Sequence, residues 1–305
     1  MVTGPTFDLA PFRELYPFES HFFARSGYRL HHLDEGPRDA AETLVMVHGN
    51  PTWSFYFREL VKAFRSGYRV VVPDHVGCGL SDKPDDSVYD YSLASRVDDL
   101  EALLAHLNVD GKITLVVHDW GGMIGTAFAT RHPEKIARLV VLNTAAFHLP
   151  RGKSFPWMLA LARTPVGAFL IRSLNAFSFT ASLVCARKRP LPRLVSQAYR
   201  APYDSWTNRI ATLRFVQDIP LDPGDRSYEL VSNVEKDLGK LVTKPMLICW
   251  GERDFVFDND FRNEWVRRFP EAKLVSFPEA GHYVLEDAWE RIVPIIGEFL
   301  GASRR

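Results

Sequence analysis

The sequence predicts an α/β fold: a mostly parallel sheet covered by helices on both faces and broken by one helical insertion. Three observations carry this expectation. Short apolar runs alternate with helical patterns over most of the 305 residues. The alternation fails in a single stretch, from about Asn143 to Gln217, which holds Pro156, Pro165, Pro190, Pro192 and Pro202, helix-like segments and no convincing strand. The β-branched run Lys112–His118 ends in Asp119-Trp120-Gly121-Gly122, a strand, a sharp turn and a helix start with small residues behind the turn.

In chain order, strand-like runs fall at Arg29–Leu33, Thr43–Val47, Tyr68–Val72, Ile113–Val117, Leu139–Leu142, Pro245–Trp250 and Lys273–Phe277. Most are continuous apolar runs, as expected of strands buried on both faces. Helical periodicity lies between several of them, at Phe55–Phe64, Leu93–Leu107, Met123–Arg131, Phe261–Phe269 and Ala288–Leu300. The expected division is a core of residues 1–144 and 221–305, with a helical cap over 145–220.

Composition narrows the class. Hydrophobic content of 46% and charged content of 24% suit a globular protein and exclude disorder. Lys plus Arg equals Asp plus Glu at 37 each, which argues against a nucleic-acid binder. Cys78, Cys185 and Cys249 are odd in number and lack metal-type spacing, so reduced thiols and a cytoplasmic location are expected. Met1–Phe18 lacks a basic start followed by an apolar core, so no signal peptide is expected. There is no G-x-G-x-x-G after a strand and no His/carboxylate cluster with metal spacing, so neither cofactor nor metal is expected.

The turn at Asp119 is the first chemical signal. It is the layout that exposes a nucleophile at the top of a sheet, with a carboxylate where Ser is usual. A carboxylate needs no base to be nucleophilic, which points to displacement at carbon rather than ordinary ester hydrolysis. His282, in Glu279-Ala-Gly-His282-Tyr, follows the last strand-like run and is the candidate base. Asp254, in Gly251-Glu-Arg-Asp254, follows the preceding run and is the candidate acid that holds the imidazole. Glu252 and Asp258 compete with it, and read more simply as a turn residue and a helix N-cap. His48-Gly-Asn50-Pro follows the second run. Its backbone N–H, with that of Trp120, is placed for an oxyanion, and the Asn50 amide and Trp120 indole can donate to a departing anion.

The stretches His48-Gly-Asn50-Pro-Thr-Trp-Ser-Phe, Pro73-Asp-His-Val-Gly-Cys-Gly-Leu-Ser-Asp82, Val117-His-Asp119-Trp120-Gly-Gly and Gly281-His282 together resemble the haloalkane dehalogenase family of the α/β-hydrolase fold. The resemblance implies an eight-stranded sheet with a cap between the sixth and seventh strands. It implies Asp119 as nucleophile, His282 as base, Asp254 as acid, and Asn50 with Trp120 as the anion-stabilising pair. Leu142-Asn143-Thr144 ends the sixth strand without a carboxylate, and an acid after the seventh strand is similar to the third subfamily. That subfamily includes the β-lactone decarboxylases of bacterial long-chain olefin biosynthesis, which Ala201–Pro220 and Leu142–Pro150 also resemble.

The resemblance therefore implies decarboxylation of cis-3-alkyl-4-alkyl β-lactones (oxetan-2-ones) to cis-alkenes and carbon dioxide, with hydrolytic haloalkane dehalogenation as the alternative. An epoxide hydrolase would need cap tyrosines, for which Tyr199 and Tyr203 are the candidates. A haloacetate dehalogenase would need an Arg just after the nucleophile, where Trp120 stands. A non-catalytic binding module would have lost the nucleophile, base or acid, and all three are present. The cap has no Asp or Glu from Asn143 to Tyr203 but nine cationic residues, and is rich in Phe, Leu and Ala between Ser154 and Cys185. Phe155, Trp157, Phe177 and Phe179 are its candidate pocket residues. The expected partners are a small apolar substrate, an assembly with other olefin-biosynthesis enzymes or a homo-oligomer, and a membrane surface met by the basic cap.

Overall fold

Side chains along the central strands divide with a period of two between two apolar clusters. Val45, Val47, Leu115, Val117, Leu139, Val141 and Ile248 point to one face, and Leu44, Met46, Val116, Val140, Leu142 and Leu247 to the other. A strand with both faces buried has to present this pattern. The computed structural model describes residues 7–301. Residues 1–6, the opening of the stretch read above for a signal peptide, lie outside the described residues, as do residues 302–305 at the end of the second core segment.

Among the described residues, eight strands form one sheet: β1 (His21–Arg25), β2 (Tyr28–Glu35), β3 (Glu42–Val47), β4 (Arg69–Pro73), β5 (Lys112–Asp119), β6 (Ile136–Thr144), β7 (Met246–Gly251) and β8 (Lys273–Phe277). Their order is β1-β2-β4-β3-β5-β6-β7-β8. β1 and β2 are antiparallel to their neighbours, and the remaining pairs are parallel. The order reverses between β3 and β5, so the crevice beyond their carboxyl ends is where a ligand is expected. The loop after β3 carries Asn50 and the end of β5 carries Asp119.

The helices are α1 (Arg58–Phe64), α2 (Leu93–His106), α3 (Trp120–Arg131), α4 (Trp157–Ala162), α5 (Pro165–Leu174), α6 (Ala176–Val184), α7 (Arg193–Arg200), α8 (Ile210–Gln217), α9 (Tyr228–Asp237), α10 (Asn259–Arg268) and α11 (Val284–Gly301). α2, α3, α9 and α10 supply the cluster on one face of the sheet, and α1 and α11 that on the other. Helices α4 to α8 fall between β6 and β7. Part of this insertion has a small core of its own, in which Ala162 and Ile171 meet Leu213 and Val216.

Two elements depart from the reading of the sequence. β1 pairs with β2 across Ser26-Gly27, both at positive φ (47° and 92°), the two-residue turn that suits the twist of a hairpin. Its His-Phe-Phe-Ala-Arg pattern is half-buried at the sheet edge and so lacks a core strand's apolar signature. α9 escapes notice because its short amphipathic pattern, with only Val231 and Val234 buried, follows a Pro/Gly/Asp-rich loop. Among the described residues, no single helix is long and apolar enough to cross a membrane.

Candidate active site

The turn after β5 exists because glycines let the backbones close on one another. A Cβ on Gly121 would lie 1.9 Å from the Val47 carbonyl oxygen, and one on Gly49 would lie 1.9 Å from Asp119 Oδ1. Asp119 itself sits at φ 52° and ψ −129°, a conformation that side chains other than glycine's avoid. Its carbonyl accepts a hydrogen bond from the Thr144 hydroxyl at the end of β6. The Asn50 backbone N–H donates to Asp119 Oδ1 at 2.5 Å. The loop donor foreseen for an external oxyanion is therefore occupied by the carboxylate itself. That contact fixes Oδ1 and leaves Oδ2 facing His282.

His282 Nε2 lies 3.6 Å from Asp119 Oδ2, and its Nδ1 donates to Asp254 Oδ2 at 2.8 Å. Asp254 is held in turn by the Asn143 side-chain amide (3.0 Å) and by the backbone N–H groups of Val256 (2.7 Å) and Phe257 (3.1 Å). Burial opposes charging of His282, but Asp254 and Asp119 on either side override it and raise its pKa to about 10. Burial likewise works to raise Asp119, yet the His282 contact and the Asn50 N–H hold its carboxyl below the usual range. The surroundings of the pair thus favour an ionised Asp119 facing a protonated His282 ring. Asp258 caps α10 and Glu252 pairs with Arg262 (2.7 Å), so neither competitor reaches the histidine.

Asn50 and Trp120 both line the cavity above Asp119. The Asn50 amide donates one hydrogen bond to the Thr212 carbonyl of α8, at 3.1 Å, which ties this loop to the insertion and leaves its second N–H for a ligand. The Trp120 ring packs 5.4 Å from that of Phe215, also on α8. The cavity has a volume of about 420 Å³ and runs from Asp119 between the core and helices α4, α5, α6 and α8. Its lining is apolar apart from a few polar side chains. Asp119 and His282 supply the paired charges there, and Asn50 and Trp120 lie beside them.

Phe155, Trp157 and Phe177 line this cavity. Phe179 does not, which corrects the reading of the sequence: it lies on the outer face of α6, 47% exposed, with the Arg200 guanidinium 5.3 Å from its ring centre. A helix turns about 100° per residue, so Phe177 and Phe179 cannot both face inward. The cap tyrosines are also outside the lining. The Tyr199 hydroxyl donates to Glu286 at 2.5 Å, and Tyr203 is fully buried, so neither offers a proton to an epoxide.

Sequence reasoning overlooked Asn143 and His118. Asn143 stands where the sixth strand lacks a carboxylate and grips Asp254 from that position, while also bonding both backbone groups of Gly251. The missing acid was the signal that could have found it. His118 donates Nε2–H to the His282 carbonyl at 2.9 Å and stacks 4.2 Å from Tyr56. Burial, with His282 beside it, drives its pKa down to about 3, so it is a neutral prop beneath the His282 loop.

Comparison with known proteins places this geometry. A family model described as alpha/beta hydrolase fold matches residues 42–288. A cis-3-alkyl-4-alkyloxetan-2-one decarboxylase of Shewanella oneidensis is 54% identical over 287 residues, covering 94% of this chain and 89% of the relative. Haloalkane dehalogenase 2 of Mycobacterium bovis is 32% identical over 298 residues, covering 96% and 99%. Among solved structures, a haloalkane dehalogenase from Bradyrhizobium elkani superposes with a TM-score of 0.81 at 25% identity, covering 94% of this chain and 99% of that one.

Proposed function

The chain belongs to the alpha/beta hydrolase fold family and is an enzyme, and from that premise we propose that it converts cis-3-alkyl-4-alkyl β-lactones to cis-alkenes and carbon dioxide. The observation that carries this reading is a carboxylate, Asp119, with the His282 ring 3.6 Å from its free oxygen at the end of an apolar cavity. The Shewanella oneidensis relative supports it by identity over nearly the whole chain.

With Oδ1 held by Asn50, Oδ2 attacks the ring carbon that bears the ring oxygen. That carbon–oxygen bond breaks, and its electron pair leaves as the carboxylate of the opened ring. The Asn50 amide and Trp120 indole donors receive this anion in surroundings where each hydrogen bond is stronger than in water. The carboxylate then departs as carbon dioxide, and the pair from its bond to the neighbouring carbon becomes the alkene π bond. The Asp119 oxygen is expelled with its own pair, so no water is consumed and no net proton moves. Inversion at the attacked carbon followed by anti elimination gives a cis-alkene from a cis-lactone. The His282 imidazolium stabilises the returning carboxylate.

Haloalkane dehalogenation is the second reading, favoured by the same donor pair and by the Mycobacterium bovis relative. On that route Asp119 displaces halide and becomes a neutral ester. One of the two carboxylates that hold the His282 proton is then gone, so the proton is released and the imidazole activates water. Incubation with a cis-disubstituted β-lactone and, separately, with 1,2-dibromoethane distinguishes the two. Cis-alkene formation outpacing bromide release is the expected result; rapid bromide release with no alkene overturns the proposal.

A further inference from the structure

The helices that wall the cavity are apolar on their outer faces as well. On α5, Leu170 and Ile171 line the cavity while Val166, Phe169 and Leu174 are 62%, 58% and 64% exposed. On α6, Phe177 and Val184 line it while Phe179 and Leu183 face outward. Trp157 on α4 does both: it lines the cavity and is 72% exposed, so it stands at an opening of the cavity. Singly exposed apolar residues need no explanation, but a contiguous patch on adjoining helices at a cavity entrance marks an interaction site.

The cap segment 143–203 itself carries charge of one sign, while the acidic side chains near it, such as Asp204, Asp225 and Glu290, lie outside that segment. Residues 143–203 contain no carboxylate. Of their nine cations, Lys153, Arg163 and Arg189 pair with carboxylates of other segments. Arg151, Arg187, Lys188 and Arg193 are exposed and make no ion pair among the described residues. α5 and α6 together carry a single ionisable side chain, Arg172, and bend by 80° at their junction. Their inner faces are taken up by the cavity, so what the bent pair offers to a partner is its outer apolar face.

We propose that the cap docks on an anionic lipid bilayer through the outer faces of α5 and α6, with its cations on the headgroups and the cavity entrance opening toward the acyl region. Apolar area and cationic charge are the two terms that hold a helix in a membrane interface. The opening of the cavity beside this patch favours a lipid surface over an acidic protein, because an apolar substrate then passes from acyl chains to Asp119 without crossing water.

Co-sedimentation tests this with the whole chain and vesicles of phosphatidylcholine, with and without phosphatidylglycerol. The protein is expected to sediment with the anionic vesicles at low salt and to be released as salt rises. The double variant Val166→Ser/Phe169→Ser should weaken binding by about tenfold or more, and Lys188→Glu/Arg193→Glu by a similar factor. None of these side chains lines the cavity, so the circular dichroism spectrum and thermal midpoint are expected to stay as they were. Absence of sedimentation with either vesicle overturns the proposal, as does equal binding by the variants. If ultracentrifugation instead shows an oligomer that Phe169→Ser dissociates, without vesicle binding, a second copy covers the face and the lipid proposal fails. Binding is read without turnover, so its failure is distinct from failure of the lactone reading.

Discussion

At Asp119 the backbone conformation (φ 52°, ψ −129°) costs on the order of 1–3 kcal/mol, and the surrounding contacts hold it in place. The Thr144 hydroxyl fixes its carbonyl, and the Asn50 N–H fixes one carboxylate oxygen. Asp119→Asn keeps this shape but removes the nucleophile, and alkene formation should fall by about a thousandfold or more. Turnover within tenfold of the parent would contradict the assignment. Asn143 tests the support of the acid: Asn143→Gly preserves the positive φ of 30° and deletes the grip on Asp254. The histidine then loses the fixed orientation that its acid supplies, so kcat should drop by about tenfold with KM little changed. Asp254 and Asp119 raise the His282 pKa to about 10, and the proposed elimination draws on the protonated ring. The profile of kcat/KM should therefore stay flat through neutrality and fall as pH rises through about 10. A rise with pH centred near 7 would instead report a histidine that works as a neutral base.

Among the elements, α1, α7 and α11 are pinned by a buried polar knot. Arg58 pairs with Glu286, its second contact at 2.8 Å, and the same carboxylate accepts from Tyr199. Removing the cation alone strands a buried charge, so Arg58→Met should destabilise the fold by about 3–5 kcal/mol in denaturant unfolding. A loss under about 1 kcal/mol would show that the knot adds little. The sequence made the interior strands, α2, α10 and much of α11 legible, because burial on one or both faces imposes a period that can be read directly. It hid β1 and α9, which are mostly half-buried and so lack a clear apolar period. At the site, Asp119, His282 and Asp254 were legible because strand ends must deliver them to one edge of the sheet. Asn143, Thr212 and His118 were not, since their roles arise from contacts between segments far apart in the chain. Phe179 misled because apolar composition in the cap does not say which way a helix faces.

Across the whole molecule, buried histidines set how stability responds to pH. Burial lowers His32 to about 4 and His118 to about 3, and also depresses His48 and His75. Each is neutral in the fold and protonates near 6.5 when unfolded, so its contribution is present above that pH and is lost as pH falls toward the folded value. His282 runs the other way: raised to about 10, its contribution is present below 6.5 and lost as pH rises. Lys83, lowered to about 8 by burial, regains stability between there and its unfolded value, against the His282 loss. Unfolding free energy should therefore fall more steeply from pH 6 to 5 than from 7 to 8, which denaturant titrations at those values will measure; equal slopes would contradict it. How Asp119 is freed separates elimination from hydrolysis. After many turnovers of a cis-β-lactone in oxygen-18-labelled water, the peptide containing Asp119 is isolated and its mass measured. Elimination predicts an unlabelled Asp119 carboxylate alongside alkene and carbon dioxide. Oxygen-18 in that carboxylate would show that water cleaves an ester, and would contradict the account.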